Sequence, residues 1–113
     1  MQINEISPNL SGVNIKVRVL SMSPPRSVKS KRGQLLRVSE AMLGDTSGRI
    51  ALTLWEKQIY LVKIGQVIEI KDGYASEFQG ILRLTLGRNG SLKVVEDPSF
   101  PSMHELLKEI RET

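Results

Sequence analysis

Apolar and polar side chains alternate in three separate runs of this chain, and that two-residue period leaves few folds open. In VNIKVRVL, residues 13–20, apolar side chains occupy every second position, and RIALTLW (49–55) and GILRLTLG (80–87) repeat the pattern. Alternation of this kind is typical of a β-strand with one buried and one solvated face. The chain is therefore predicted to be all-β over most of its length.

Two more strands and a hairpin complete the pattern. QLLRVSEAML (34–43) leads into the turn sequence GDTSG (44–48), which favours a hairpin with the strand at 49–55. QVIEIKDGY (66–74) is predicted as the fourth strand. The crowded apolar segment before it, residues 56–65, is predicted as a short helix or turn.

The connections between the strands point to one architecture. SMSPPRSVKSKRG (21–33) is rich in proline, serine and bases and is predicted as a long mobile loop, and glycine-bounded GYASEFQG (73–80) is predicted as a second loop. Five strands in this order match the OB-fold barrel. In that fold, oligonucleotides lie on strands 2 and 3, between the 1-2 and 4-5 loops.

The few aromatic residues are concentrated at that predicted surface. The chain has five, of which Tyr74 and Phe78 lie in the second loop and Trp55 lies on the strand face away from the buried leucines. Single-stranded nucleic acid needs flat rings for its bases and positive charge for its phosphates. A lone Trp at a strand end is more often a packing residue, and Tyr74 and Phe78 could likewise fold back to cap the end of the barrel. Their coincidence beside a basic segment favours a binding role.

Positive charge is unevenly distributed along the chain. Residues 1–95 carry a net charge of +7, whereas residues 96–113 carry −3. A cluster without acids lies within residues 26–37: Arg26, Lys29, Lys31, Arg32 and Arg37. Such a cluster favours a polyanion. The alternative interpretation is a solvated loop whose charges only serve solubility.

The composition argues against an enzyme. The chain has no cysteine, and its one histidine, His104, lies in the acidic C-terminal segment. No Ser/His/Asp set and no metal-binding cluster can be assembled. We therefore predict no catalytic residue, no metal and no cofactor. The N-terminus is unlike a signal peptide and no apolar run reaches 18 residues, which predicts a cytoplasmic, nucleoid-associated protein without a membrane partner.

Over residues 13–95 the chain resembles the archaeal single-OB-fold single-stranded DNA-binding proteins, and equally the OB subunit of the eukaryotic sensor of single-stranded DNA complex. The matching stretches are VNIKVRVL, SEAMLGDTSGRIALTLW, IGQVIEIKDGYASEFQG and LTLGRNG. The resemblance implies that the three rings stack on bases and that the basic segment lines the path of the strand. The predicted nucleic-acid-binding residues are Trp55, Tyr74, Phe78, Lys29, Lys31, Arg32 and Arg37.

The chain departs from this family in two places. Eukaryotic relatives have another aromatic where this chain has Thr85, and archaeal members continue into a glycine- and arginine-rich tail. Here an OB domain over residues 1–97 is expected to be followed by an amphipathic helix within residues 98–113, with Ser102 and Glu105 as a capping box. Its apolar stripe consists of Met103, Leu106, Leu107 and Ile110. So short a helix needs a surface to cover that stripe, and the chain's own barrel is favoured over a partner or a second copy.

Three functions remain open on the sequence. The leading hypothesis is a protein that coats single-stranded DNA with little sequence preference in replication, recombination or repair. The second is an OB-fold structural subunit of a larger replication or repair complex, assembled through the C-terminal helix. The third is an RNA or tRNA binder, because discrimination depends on contacts to the 2′-hydroxyl that no motif here reveals.

Overall fold

A computed structural model of the chain describes residues 1–87 and 89–111, without the side chains of residues 109–111. Seven strands account for most of it: β1 (Val13–Met22), β2 (Arg26–Lys29), β3 (Leu35–Asp45), β4 (Gly48–Trp55), β5 (Val67–Phe78), β6 (Ile81–Thr85) and β7 (Ser91–Val95). Short 3₁₀ helices lie at Ile3–Glu5 and Glu56–Leu61, and one α-helix, α1, spans Met103–Arg111. Neither α1 nor any other described helix is long and apolar enough to cross a membrane.

Five of the strands close into a ring. β1 pairs with β3, β3 with β4, β4 with β6 and β6 with β5, and β5 returns to β1. The β4–β6 pairing is parallel and the others are antiparallel. The predicted five-stranded OB architecture is thereby confirmed. The 3₁₀ helix at Glu56–Leu61 lies in the connection from β4 to β5, where the sequence predicted a short helix or turn.

The alternating side chains form the core of this ring. Ile50, Leu52 and Leu54 on β4 are at most 3% exposed, and Leu84 on β6 is fully buried. Leu82, expected to be buried with Leu84, is only partly covered. Burying a side chain of this size stabilises a fold by about 1.5 to 3 kcal/mol. The positions between the buried ones point out of the barrel.

The predicted loop over residues 21–33 is wrong in its central part, which is a strand. β2 pairs in antiparallel register with Leu35–Val38 of β3, and the true turn is confined to residues 30–34. The two prolines end β1, but the four residues after them find backbone partners on β3. The basic segment is therefore a short hairpin arm rather than a mobile loop.

The predicted loop at residues 73–80 is also wrong, because β5 continues through it to Phe78. Only Gln79 and Gly80 form the turn, with φ values of 53° and 79°. Two positive values are the signature of a type I′ turn, which joins paired strands directly. Gly73 lies inside the strand, where a Cβ would approach Cγ2 of Ile70 to 3.1 Å. That glycine reflects close packing, and the sequence pattern does not separate this cause from a turn.

The segment after β7 is fastened to the barrel by two basic residues of β1. Lys16 forms an ion pair of 3.1 Å with Asp97. Arg18 donates hydrogen bonds to the carbonyl oxygens of Pro101 (2.8 Å) and Gly65 (2.6 Å). Hydrogen bonds from Ser99, together with Lys16, lower the pKa of the Asp97 carboxyl below its ordinary value. The chain therefore enters α1 along a fixed path.

Helix α1 packs against its own barrel. The backbone N–H of Glu105 donates to Oγ of Ser102 over 3.1 Å, as expected for the capping box. Leu106 is fully buried, and Arg49 of β4 donates a hydrogen bond to its carbonyl oxygen. Leu107 of the predicted stripe is 38% exposed. The side chain of Ile110, also assigned to the stripe, lies outside the described residues.

A glycine on β3 shapes the surface beside this helix. A Cβ at Gly44 would lie 2.6 Å from Cδ1 of Leu20 and 3.2 Å from Cδ of Arg49. The absence of a side chain at this position therefore lets the Leu20 and Arg49 side chains lie across β3. Arg49 can then reach α1, at the end of β4 farthest from Trp55.

Candidate nucleic-acid interface

The register of the strands assembles one continuous outer surface from four of them. Because Leu52 and Leu54 of β4 point inward, Thr53 between them points outward. Thr53 aligns with Glu40 on β3 and with Thr85 on β6. Thr85 in turn aligns with Tyr74 on β5. We call this surface the outer face. Its outward residues are Val38, Glu40, Met42, Ala51, Thr53, Trp55, Arg83, Thr85, Tyr74, Ser76 and Phe78.

The three predicted stacking residues all lie on the outer face. Trp55 is 39% exposed, Tyr74 is 38% exposed and Phe78 is 66% exposed. Tyr74 and Phe78 are four residues apart on β5, or about 13 Å along the strand, and Tyr74 is separated from β4 by one intervening strand. The sequence therefore predicted correctly that these rings share one surface. Their role in stacking stays a prediction.

Tyr74 is held in a defined orientation by the N-terminal segment. Its hydroxyl donates to Oδ1 of Asn9 over 3.1 Å. The backbone N–H of Asn9 donates to the carbonyl oxygen of Ala75, and the N–H of Ala75 donates to that of Leu10. The strand and the segment thus fix both ends of the tyrosine side chain. A ring fixed before binding loses little conformational freedom when a base stacks on it.

Trp55 and Phe78 differ in how far packing within the folded chain accounts for their positions. Trp55 aligns with Val38, which is only 2% exposed although it points outward, so the indole lies beside a covered apolar position. Phe78 aligns with Ile81 at the end of the β5–β6 hairpin, where Ile81 is 54% exposed. An exposed apolar pair of this kind gains little from folding. Packing therefore does not account for the exposed position of Phe78.

The predicted basic residues are not gathered on the outer face. Lys29 aligns with Leu35, and Arg37 aligns with Ser27, which places both bases on the opposite face of the β2–β3 hairpin. The remaining two, Lys31 and Arg32, are exposed in the turn at the end of that hairpin. All four surround the arm on which they lie, and none shares the outer face with the rings.

Two arginines that the sequence did not place in the site lie closer to the rings: Arg83 on the outer face, and Arg26 beside it on β2. Arg26 aligns with Val38 on β3, and Arg83 lies on β6. Nη1 of Arg83 is 2.8 Å from Oε1 of Glu40, and Nη2 of Arg26 is 3.8 Å from the same oxygen. The sequence does contain a signal for Arg83. Because Leu82 and Leu84 point inward, Arg83 between them has to point outward. Among the described residues, no group of three His, Cys, Asp or Glu side chains could hold a metal ion.

Comparison with known proteins identifies relatives over most of the chain. Residues 6–94 match the family described as single-stranded DNA binding protein Ssb-like, OB fold. The chain is 33% identical over 105 residues to the single-stranded DNA binding protein Ssb of Saccharolobus solfataricus. That match covers 93% of this chain and 70% of the relative.

Solved structures show the same fold. The second OB-fold domain of replication protein A from Methanococcus maripaludis superposes with a TM-score of 0.70 at 28% identity, covering 86% of this chain and 95% of that domain. A chain of a replication protein A heterotrimer bound to single-stranded DNA superposes with a TM-score of 0.75 at 22% identity, covering 90% of this chain and 26% of the other.

Proposed function

The chain belongs to the Ssb-like family of OB-fold single-stranded DNA-binding proteins, and from that membership we propose that it binds single-stranded DNA and is not an enzyme. Binding would show little sequence preference, because every base has a flat face that can stack on an aromatic ring. Coated single strands of this kind arise in replication, recombination and repair. We propose that the protein binds these strands in the cytoplasm, at the nucleoid.

One observation carries this proposal: three exposed aromatic rings share the outer face of the barrel. Trp55 lies on β4 and Tyr74 and Phe78 lie on β5, and all three rings are exposed on the same surface, where bases of one DNA strand can stack on them. Stacking of one base on an aromatic side chain contributes about 1 to 3 kcal/mol. Three such contacts would give useful affinity without any reading of base edges.

The phosphates would follow the basic hairpin arm. Lys31 and Arg32 in its turn are exposed, and Lys29 and Arg37 lie on the reverse face of the same arm. A DNA strand that leaves the rings near Trp55 would pass this arm, because β3 and then β2 continue the sheet beyond β4. The OB domain at residues 1–97 would thus hold the whole site, and residues 98–113 would lie outside it.

The direct test compares binding of single-stranded DNA, RNA and duplex DNA of equal length. We expect single-stranded DNA to bind most tightly, because a duplex conceals the faces of its bases from the rings. Tighter binding of RNA would replace this proposal by the RNA-binding alternative. Binding of none of the three would favour the structural-subunit alternative.

Affinity for single-stranded DNA should fall as salt rises. With roughly three to five phosphates neutralised, a plot of log affinity against log salt should have a slope of about −2 to −3.5. Lys29→Ala combined with Arg32→Ala should reduce the steepness by about 0.7 for each phosphate that the variant no longer neutralises. The matched control combines Lys93→Ala with Lys108→Ala, at two exposed lysines on β7 and α1. This variant should leave the slope unchanged. A parent slope near zero would contradict the proposed path of the phosphates.

A further inference from the structure

A carboxylate lies on the outer face, a surface that has to accept a polyanion. Glu40 lies on β3 beside Thr53 of β4, two residues along β3 from Val38, which aligns with Trp55. Arg83 reaches it from β6, crossing β4 at Ala51, its direct neighbour in register. Ala51 is only 9% exposed although it points outward. A small side chain there leaves room for the arginine to lie flat across the strand.

This pair makes its part of the outer face a poor place for a phosphate. The charges of Arg83 and Glu40 offset each other at 2.8 Å, and both side chains are largely covered, with 33% and 26% exposed. A phosphate brought to Arg83 would also meet the carboxylate, and repulsion between like charges increases where water is excluded. The phosphates are therefore expected at the hairpin arm, and the bases on the outer face.

A base edge, unlike a phosphate, offers both donors and acceptors. Both arginines contact Oε1 of Glu40, so Oε2 retains its capacity to accept a hydrogen bond from a ligand. A carboxylate accepts from the exocyclic amino group of cytosine, whereas thymine carries the acceptor O4 at that position. Stacking on the rings does not distinguish the two pyrimidines in this way.

We propose that the Arg83–Glu40 pair is a base-edge subsite that favours cytosine over thymine. The proposal rests on the single-stranded DNA binding proposed above and adds a modest preference to sequence-tolerant stacking. Glu40 accepts from the amino group of the base, and Arg83 holds the carboxylate in place from across β4. Thymine at this position would put its carbonyl oxygen against the carboxylate.

The test compares the affinities of oligo(dC) and oligo(dT) of equal length at one salt concentration. The unmodified protein should bind oligo(dC) about two- to tenfold more tightly, the range expected for one hydrogen bond. Glu40→Gln should bring this ratio close to one, because an amide can donate to O4 of thymine as well as accept from cytosine. The matched control is Glu77→Gln on β5. Glu77 is exposed and alternates with Ser76 and Phe78, so it faces away from the outer face, and the ratio should stay unchanged.

Each result decides for or against the subsite. Equal affinities in the unmodified protein would overturn it while leaving single-stranded DNA binding intact, and this comparison stands even if Glu40→Gln does not fold. An unchanged ratio in folded Glu40→Gln would overturn it as well. So would an equal loss of the ratio in Glu77→Gln, which would make the effect one of net charge. Failure to bind either oligonucleotide would contradict the proposed function itself.

Discussion

Leu106→Ala should lower the free energy of unfolding by about 2 to 5 kcal/mol, the range for removing most of a buried leucine from a packed site. Leu106 is fully buried although it lies on a single short helix. That burial comes from the chain's own residues, and Arg49 ties the helix to β4 by a hydrogen bond. In urea titrations the midpoint should fall while the dependence on urea stays similar.

Leu107→Ala is the matched control for this prediction. It removes the same atoms from the next residue of the same helix, but Leu107 is 38% exposed, so the loss should be less than about 1 kcal/mol. Both variants should remain monomeric in sedimentation and keep their affinity for single-stranded DNA. Equal losses in the two variants would contradict the observed packing of α1. Oligomers of the parent protein that dissociate in Leu106→Ala would indicate that the helix instead forms an interface.

Trp55→Ala should weaken binding of single-stranded DNA by about 1 to 3 kcal/mol, the loss of one stacked base. The parent protein has a single tryptophan, so quenching of its fluorescence on addition of an oligonucleotide reports this ring alone. Trp55→Phe should retain part of the affinity, because a smaller ring still offers a flat face.

Tyr60→Ala provides the comparison for Trp55→Ala. Tyr60 is 68% exposed on the 3₁₀ helix after β4 and does not belong to the outer face. Its removal should leave affinity unchanged. Since Trp55 lies beside the buried Val38, the unfolding of each variant has to be measured separately. Full affinity in a folded Trp55→Ala would show that the indole serves packing only.

The sequence predicted the barrel because its signal is local and repeated. Alternating residues such as Ile50, Leu52 and Leu54 specify a strand and its buried face without reference to any partner. The same alternation placed Trp55 on the outer face correctly. Tyr74 and Phe78 reached that face for a different reason, because β5 continues through a segment predicted as a loop.

What the sequence missed depends on pairing between distant segments. Proline and serine around β2 resemble a loop until β3 supplies hydrogen-bond partners, and this pairing decides that Lys29 and Arg37 face away from the rings. The hydrogen bond of Arg83 with Glu40 joins residues 43 positions apart across an intervening strand. The composition showed that the arm is basic. Only the strand register shows that Arg26 lies on the same side of the sheet as the rings, whereas Lys29 and Arg37 lie on the opposite side.

The position of β2 has a consequence for proteins bound side by side. β2 pairs with β3 and with no other strand in the described part of the chain, so its second edge offers unpaired backbone groups. Copies lined up on one nucleic-acid strand reach very high local concentrations, at which such edges can join into a continuous intermolecular sheet. β2 is only four residues long, carries Arg26 and Lys29 and follows two prolines, features that discourage pairing between edges. The short length and the charges of this arm therefore disfavour pairing between the edges of neighbouring copies.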